Sequence, residues 1–195
     1  MSKYYIVTYQ GAFGFIKPWT AVRDSEVFSQ QFLTPSIVEG IEKKLFPELL
    51  SSNGIHKIVR HRLSYDQISE QQEVTQTRGW NSVKKGKQFL FERNTSILLR
   101  GVMINPILHL VFKTEEEAKH AFSQHICLCR NEDILLPVEI NEVSSEVFES
   151  DEYPGYELMF EKCDKSFIVG YNRYSNDAMY GWLNVIGTPV KSIRE

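Results

Sequence analysis

The sequence INPILHLVFKTEEEAKHAF, residues 104–122, decides the fold class. Its first half, Ile104–Phe112, is apolar, partly β-branched and about as long as a strand, so it predicts a β-strand. Thr114 then begins a helix, because threonine is a good N-cap and the glutamates after it lie where the helix dipole favours negative charge. A strand followed by a helix is one half of a pattern that also occurs upstream.

The upstream half of the pattern begins at the N-terminus. Lys3–Tyr9 is short, aromatic and β-branched and predicts a strand. Thr34–Leu50 predicts a helix, because its first residue can serve as the N-cap and the proline after it fits the first helical position. Pro47 should end or kink this helix near Leu45. Ile55–Leu63 alternates apolar and polar side chains, which predicts a strand with one basic face.

The order of these elements indicates the fold. With a last strand at Ile134–Val143, it is the β-α-β-β-α-β order of a ferredoxin-like unit. We therefore predict one α+β domain, with an antiparallel sheet and both helices on one face. The predicted parts are a core (residues 1–64 and 100–143), an inserted long hairpin or loop (65–99) and a C-terminal β extension (144–195). Further strands are predicted at Phe89–Leu99, Tyr156–Phe160, Ser166–Asn172 and Tyr180–Ile186.

Composition and the N-terminus bound the class of protein. Hydrophobic residues make up 42% of the 195 residues, which is enough for a core and argues against disorder. No apolar run approaches the roughly 20 residues that a membrane-spanning helix needs. The first residues, MSKYYIVTYQ, lack the pattern of a signal peptide and instead predict a strand. We therefore expect a cytoplasmic protein with no membrane partner.

Charge is distributed unevenly along the chain. The formal net charge is −3, which argues against indiscriminate binding to nucleic acid. His56–Arg100 carries nine Lys/Arg and four Asp/Glu, a net of +5, whereas Glu132–Asp164 carries one Lys/Arg and eleven Asp/Glu, a net of −10. The first segment can face an anion and the second cannot. The alternative is that both are ordinary solvated faces.

The cysteines favour reduced thiols over a metal site. There are three, Cys127, Cys129 and Cys163, and an odd number does not suit a disulfide framework. The C-x-C pair has no second pair at zinc-finger spacing, and His125 is a weak fourth ligand. We therefore predict buried, inert thiols and expect neither a metal nor a cofactor.

The inserted segment contains the first group of candidate RNA contacts. Tyr65–Lys87 is polar and weakly periodic, which predicts either a long loop or an extended hairpin tip. Trp80 can stack on a base, at about 1–3 kcal/mol per base. The alternative is a flexible solvated loop with incidental lysines. The candidate phosphate contacts are Arg78, Lys84, Lys85 and Lys87.

Two further groups of candidates lie outside the insertion. Lys17, Trp19 and Arg23 form a second basic and aromatic cluster, although core packing explains Trp19 equally well. Arg60 and Arg62 should share one face of a strand about 7 Å apart, a spacing that suits successive phosphates.

His61 points to the other face of the same strand, and it is a candidate acid or base if Tyr65 and a lysine, Lys84, converge on it. The favoured alternative is a satisfied histidine packed under the sheet.

Three stretches of the chain resemble one protein family. They are Gly11–Pro18 (GAFGFIKP), Phe32–Ile41 (FLTPSIVEGI) and Leu128–Ile134 (LCRNEDI), with a weaker similarity at Leu98–Val102 (LLRGV). In this order they look like the Cas five family of CRISPR-associated proteins, which belongs to the RAMP superfamily. The family usually has glycine at the position of Cys129.

The resemblance implies both an architecture and a function. Family members resemble a right hand, with a ferredoxin-like palm and an inserted thumb hairpin, here residues 65–99. They hold the 5′ handle of the guide RNA (crRNA) in Cascade-type effector complexes of antiviral defence, where they contact the large subunit and the first backbone subunit. In most subtypes they do no chemistry. In one subtype a Tyr, Lys and His arrangement cleaves the precursor RNA without metal.

The resemblance also implies that Arg100 and Arg130 contact RNA, since they lie within the similar stretches. A guanidinium can clamp a phosphate with two parallel hydrogen bonds. The alternative for Arg130 is that it pairs with Glu132 or Asp133, or caps the helix before it.

Three functions are compatible with the sequence. The leading hypothesis is an RNA-binding, non-catalytic subunit of a CRISPR effector complex. The second is a metal-independent endoribonuclease that would use His61, Tyr65 and Lys84. The third is a protein-interaction domain whose acidic segment is the functional surface.

Overall fold

The computed structural model describes residues 3–18, 25–76, 79–172 and 174–191. Strands account for 50% of the described residues and helices for 14%, so the fold is mostly β. The helices are α1 (Pro35–Leu45), α2 (Glu115–Phe122) and α3 (Ser145–Phe148), with a 3₁₀ turn at Pro47–Leu49. The strands are β1 (Lys3–Gln10), β2 (Phe13–Gly14), β3 (Glu26–Phe28), β4 (Ile58–Ser64), β5 (Gln67–Gln76), β6 (Asn81–Lys85), β7 (Gln88–Glu92), β8 (Thr95–Ile104), β9 (Ile107–Phe112), β10 (Ile126–Cys127), β11 (Ile134–Ser144), β12 (Gly155–Met159), β13 (Phe167–Tyr171) and β14 (Ala178–Ile186).

The prediction of an α+β ferredoxin-like fold is wrong, because the chain is much richer in strand than that fold. Two parts of the chain account for the difference. The insertion contributes β5 to β8, because it forms the hairpin and not the loop of the two predicted alternatives, and the C-terminal segment contributes the three predicted strands, which extend the main sheet. Weak alternation in the polar insertion concealed its strands, because side chains that face solvent on both sides leave no period of two.

The main sheet has eight strands in the order β10-β11-β1-β9-β4-β12-β14-β13. Its pairings are antiparallel, and β1 lies between β9 and β11. Strand β4 meets β12 at a single pair, Leu63 opposite Tyr156. The C-terminal strands therefore join the sheet through a narrow contact, which side chains must reinforce.

Residues 104–112, which were predicted as one strand, contain the last residue of β8 and the whole of β9. Strand β8 ends at Ile104, Asn105 adopts a positive φ of 48°, and β9 begins after Pro106. Asparagine tolerates this left-handed conformation and proline cannot donate to the sheet, so a turn interrupts the apolar run. The predicted strand Phe89–Leu99 is likewise divided, between β7 and β8.

Both predicted helices are confirmed and pack on one apolar core. Helix α1 ends at Leu45, before Pro47, as predicted. The Thr114 side chain accepts a hydrogen bond from the backbone N–H of Glu117, so it caps α2. The shared core includes Val38, Ile41, Leu45, Ala118 and Ala121 from the helices and Val7, Tyr9, Leu108, Leu110 and Leu63 from the sheet. Among the described residues, no helix is both long and apolar enough to cross a membrane.

The insertion is a long antiparallel hairpin, one of the two predicted alternatives. Strands β5 and β8 pair over ten residues each, and β2 and β3 complete a second sheet at the base. Beyond them, β6 and β7 form a separate two-stranded tip, which we call the tip hairpin (residues 79–93). Gly86, with φ at 67°, occupies the first central position of its two-residue turn, where a type II′ turn requires glycine.

Candidate nucleic-acid interface

The pairing of β6 with β7 sorts the side chains of the tip hairpin onto two faces. Ser82 lies opposite Phe91 and Lys84 opposite Phe89, so these four share one face. Continued alternation puts Trp80 and Arg93 on the same side. The opposite face carries the pairs Val83–Leu90, Lys85–Gln88 and Asn81–Glu92.

The first face combines exposed aromatic rings with cations. Trp80, Phe89 and Phe91 are 58%, 60% and 64% exposed. The Arg93 guanidinium lies 4.2 Å from the centre of the Trp80 ring, and the Lys84 ammonium lies 5.9 Å from that of Phe89. We call these five residues the aromatic–basic face. Rings that face solvent, interleaved with cations, are the arrangement that binds single-stranded nucleic acid by stacking and charge.

The second face is aliphatic at its centre. Val83 and Leu90 lie opposite each other and are both exposed. Lys85, Gln88, Asn81 and Glu92 surround them, so this face is an apolar patch with a polar rim. We call it the aliphatic face, and its composition is that of a small protein contact.

The tip hairpin is also a local concentration of positive charge. Residues 79–93 carry four Lys/Arg and one Glu, a net of +3 in a chain whose net charge is −3. A two-stranded hairpin is only marginally stable by itself in water, and exposed apolar patches on such an element mark binding surfaces.

The structure places the described candidate RNA contacts of the insertion on different parts of the tip hairpin. Lys84 belongs to the aromatic–basic face, Lys85 to the aliphatic face, and Lys87 to the turn. Trp80 is exposed, as a stacking role requires. The predicted contacts Trp19, Arg23 and Arg78 lie outside the described residues.

Sequence reasoning missed Phe89, Phe91 and Arg93. The signal was available, because Gln88–Glu92 (QFLFE) alternates aromatic and other residues two positions apart and follows a Lys-Gly-Lys turn. It was assigned to a strand without a function.

Arg60 and Arg62 share one face of β4, as predicted, but they bind carboxylates of the C-terminal segment. The Arg60 guanidinium donates to both oxygens of Glu157 and also to Glu149. Arg62 is 0% exposed and donates to Glu149, Glu157 and the backbone oxygen of Phe148, over whose ring it lies. Arg62 therefore has no access to a phosphate, and the prediction that it binds RNA is wrong; the Arg60 donors are likewise occupied.

The same cluster explains part of the acidic C-terminal segment. Burial raises the pKa of Glu149, but the hydrogen bonds and charges of Arg60 and Arg62 outweigh it and hold that pKa below its ordinary value. Glu157 is 1% exposed and also accepts from the backbone N–H of His61. These acids are the internal counter-charges of β4 rather than a surface for partners.

The three candidate nuclease residues do not converge. His61 is 4% exposed and stacks on Phe160, with its Nε2 unpartnered within the described structure. Burial lowers the pKa of His61 to about 4, against the charge of Glu157, and burial raises the pKa of Tyr65 to about 12. Lys84 lies beyond the ten residues of β5, about 33 Å of strand from Tyr65.

Arg130 pairs with Asp133, which is the structural alternative to an RNA contact. Its guanidinium donates through two nitrogens to Asp133, at 2.8 and 2.6 Å, and Asp133 is 0% exposed. Arg130 and Arg100 lie 5.2 and 5.6 Å from the centre of the buried Phe15 ring, and Arg100 pairs with Glu73. Both arginines thus have partners. Lys17, two residues after Phe15, is exposed.

The prediction of buried cysteines is wrong for two of the three. Cys129 and Cys163 are exposed and Cys127 is half-buried. The loop after α2 and the turn before β13 both face solvent, which no local pattern in the sequence indicated. Across the described residues, no three His, Cys, Asp or Glu side chains are arranged to hold a metal ion.

Comparison with known proteins adds no assignment. No protein-family model matches the chain, and no curated protein matches it. The resemblance to the Cas five family therefore stays a prediction.

Proposed function

We propose that this chain is a non-catalytic, RNA-binding subunit of a Cascade-type CRISPR effector complex, and that it holds the 5′ handle of the guide RNA in the cytoplasm. The observation that carries the proposal is the aromatic–basic face, with three exposed rings and two cations on one side of a projecting hairpin. The sequence resemblance supplies the kind of assembly.

The chemistry of this face favours single-stranded RNA. Each ring can stack on an unpaired base for about 1–3 kcal/mol, whereas a duplex keeps its bases stacked on each other. Lys84 and Arg93 are placed to meet the phosphates between those bases. The face has few groups that read base edges, so we expect tolerance of sequence. Because the chain is net acidic, binding should be weak alone and tight within the assembly.

The aliphatic face supports the protein side of the proposal. Val83 and Leu90 are exposed on the side that faces away from the proposed RNA. Contact with the large subunit or a backbone subunit there would cover apolar surface that is otherwise open to water. We assign no catalysis, because His61 and Tyr65 are buried and Lys84 is remote from both.

Fluorescence anisotropy with a labelled single-stranded repeat RNA tests the proposal. Replacing both rings, Phe89→Leu and Phe91→Leu, should weaken binding by about 2–6 kcal/mol if each ring stacks on one base. Leu90→Ala removes similar apolar bulk from the opposite face of the same strand and should leave RNA affinity unchanged. Equal losses in the two variants would point to unfolding of the tip hairpin, and no loss in either would refute the proposal.

A further inference from the structure

A cleft lies away from the tip hairpin, between α1 and the hairpin of β13 and β14. Its volume is about 640 Å³, within the range of small-ligand sites. One wall is the first half of α1 with the turn at Asn53–Ile55, and the other is formed by Val169–Asn172, Tyr174 and Met179. None of the described residues that the sequence predicted to bind RNA lines this cleft.

Two exposed tyrosines line this cleft. Tyr171 is 62% and Tyr174 is 70% exposed. The Asn172 side-chain oxygen accepts hydrogen bonds from the backbone N–H groups of Tyr174 and Ser175, at 2.9 and 3.3 Å. The register shift of β13 near Gly170 is a bulge of the kind that re-aims neighbouring side chains. Both rings therefore line the cleft and leave most of their surface open to solvent.

A hydrogen bond joins the two walls. The Tyr174 hydroxyl donates to the side-chain oxygen of Asn53, 2.8 Å away and on the opposite wall. Within the described residues, the side-chain amide nitrogens of Asn53 and Asn172 donate to no protein group. Amide donors beside aromatic rings suit the carbonyl and ring-nitrogen acceptors of a nucleobase.

The charges of the described lining residues favour a base over a phosphate. Lys43, the one lysine among the described lining residues, pairs with Glu39 at 2.7 Å. Glu39 also accepts from the backbone N–H of Gly54. This lysine is thus paired within the described lining, and a phosphate beside it would meet the carboxylate of Glu39. An uncharged base would meet no such repulsion.

We propose that this cleft binds one unpaired nucleobase of an RNA strand, stacked on Tyr171 or Tyr174 and hydrogen-bonded by the amides of Asn53 and Asn172. That the base belongs to RNA rests on the proposed function. The preference for a base over a phosphate rests on the lining of the cleft alone.

Free nucleosides and their 5′-monophosphates, titrated into the full chain and followed by the NMR signals of the tyrosine rings, test this proposal. A nucleoside and its monophosphate should bind with equal affinity, and added salt should change neither. Tyr171→Leu or Tyr174→Leu should weaken binding about fivefold to a hundredfold. Tyr180→Leu, on β14 but outside the cleft lining, is the matched control and should have no effect.

Three outcomes would overturn the proposal. They are the absence of nucleoside binding, binding of monophosphates alone that salt abolishes, and unchanged binding in both tyrosine variants. The double variant Phe89→Leu, Phe91→Leu separates the two sites, since it should lose repeat RNA and keep nucleosides. If nucleosides bind but repeat RNA does not bind the wild-type chain, the proposed function fails and the cleft stands.

Discussion

The Glu157 carboxylate accepts two hydrogen bonds from the Arg60 guanidinium, and through them β12 is attached to β4. The backbone ladder between these strands has only one pair, at Leu63 and Tyr156. The ion pair therefore connects the two strands, as a longer ladder of backbone hydrogen bonds does in other strand pairs.

We expect Glu157→Gln to destabilise the protein by about 3–5 kcal/mol, because it removes the buried carboxylate and leaves Arg60 and the fully buried Arg62 to share the single charge of Glu149. Urea denaturation measures the loss. Glu149→Gln is the control, since Glu149 is partly exposed and water can replace it, and should cost less. Equal stability of Glu157→Gln and the wild-type protein would show that the pair does not hold the strands together.

Stability should fall as the pH drops from about 6.5 to 4. Burial lowers the pKa of both His61 and His109 from 6.5 to about 4, so the unfolded chain binds protons in this range that the folded chain does not. The loss is on the order of 3 kcal/mol for each histidine. Glu149 adds a further loss below its ordinary pKa of 4.5, because its lowered pKa favours the folded state only while it is ionised.

Urea unfolding at a series of pH values checks this dependence. His61→Phe should reduce the slope between pH 6.5 and 4, while His56→Gln, at an exposed histidine, should not. An unchanged slope in His61→Phe would mean that His61 takes up its proton over the same pH range in the folded and the unfolded chain.

Glu42 should be a second anchor of β4. It is 0% exposed, and its carboxylate accepts hydrogen bonds from the backbone N–H groups of His56, Lys57 and Ile58. Glu42→Ala should cost at least about 3 kcal/mol, because it leaves these donors without a partner. Glu48→Gln, at an exposed acid paired with Lys57, should change the melting temperature little. A small effect of Glu42→Ala would contradict the anchor.

The cations of the aromatic–basic face should determine part of the salt dependence of RNA binding. Each phosphate contact that is lost lowers the slope of log affinity against log salt by about 0.7 for a single strand. We therefore expect Lys84→Gln or Arg93→Gln to flatten the slope measured by anisotropy. Lys85→Gln, on the opposite face of β6, should leave it as it is. The reverse order would place the RNA on the aliphatic face.

Arg130 should contribute to the stability of the protein and not to its affinity for RNA. Arg130→Ala removes the partner of the buried Asp133 and should lower the melting temperature, while RNA affinity per folded molecule stays constant. Arg130→Lys should recover part of the loss, because an ammonium keeps the charge but not both parallel hydrogen bonds. Calorimetry with RNA titration distinguishes the roles. Reduced RNA affinity at unchanged stability would restore Arg130 as an RNA contact.

Local signals predicted several elements correctly. The strand at Lys3–Tyr9, the end of α1 before Pro47 and the cap of α2 at Thr114 are confirmed, because capping, proline chemistry and short-range alternation act within a few residues. The C-terminal strands were also placed to within two residues. The proportion of strand to helix was missed, since β5 of the insertion is polar along most of its length and shows no clear alternation.

The sequence alone determined that Arg60 and Arg62 lie on one face of a strand and His61 on the other, because alternation is a property of the extended backbone. It also determined the basic character of the tip hairpin. Only the tertiary structure decided that the two arginines are internal while the rings of Phe89 and Phe91 are exposed. The reason is distance along the chain. The carboxylates that neutralise Arg60 and Arg62 come from some 90 residues away, at Glu149 and Glu157, and no local pattern can indicate which charges a fold will bring together.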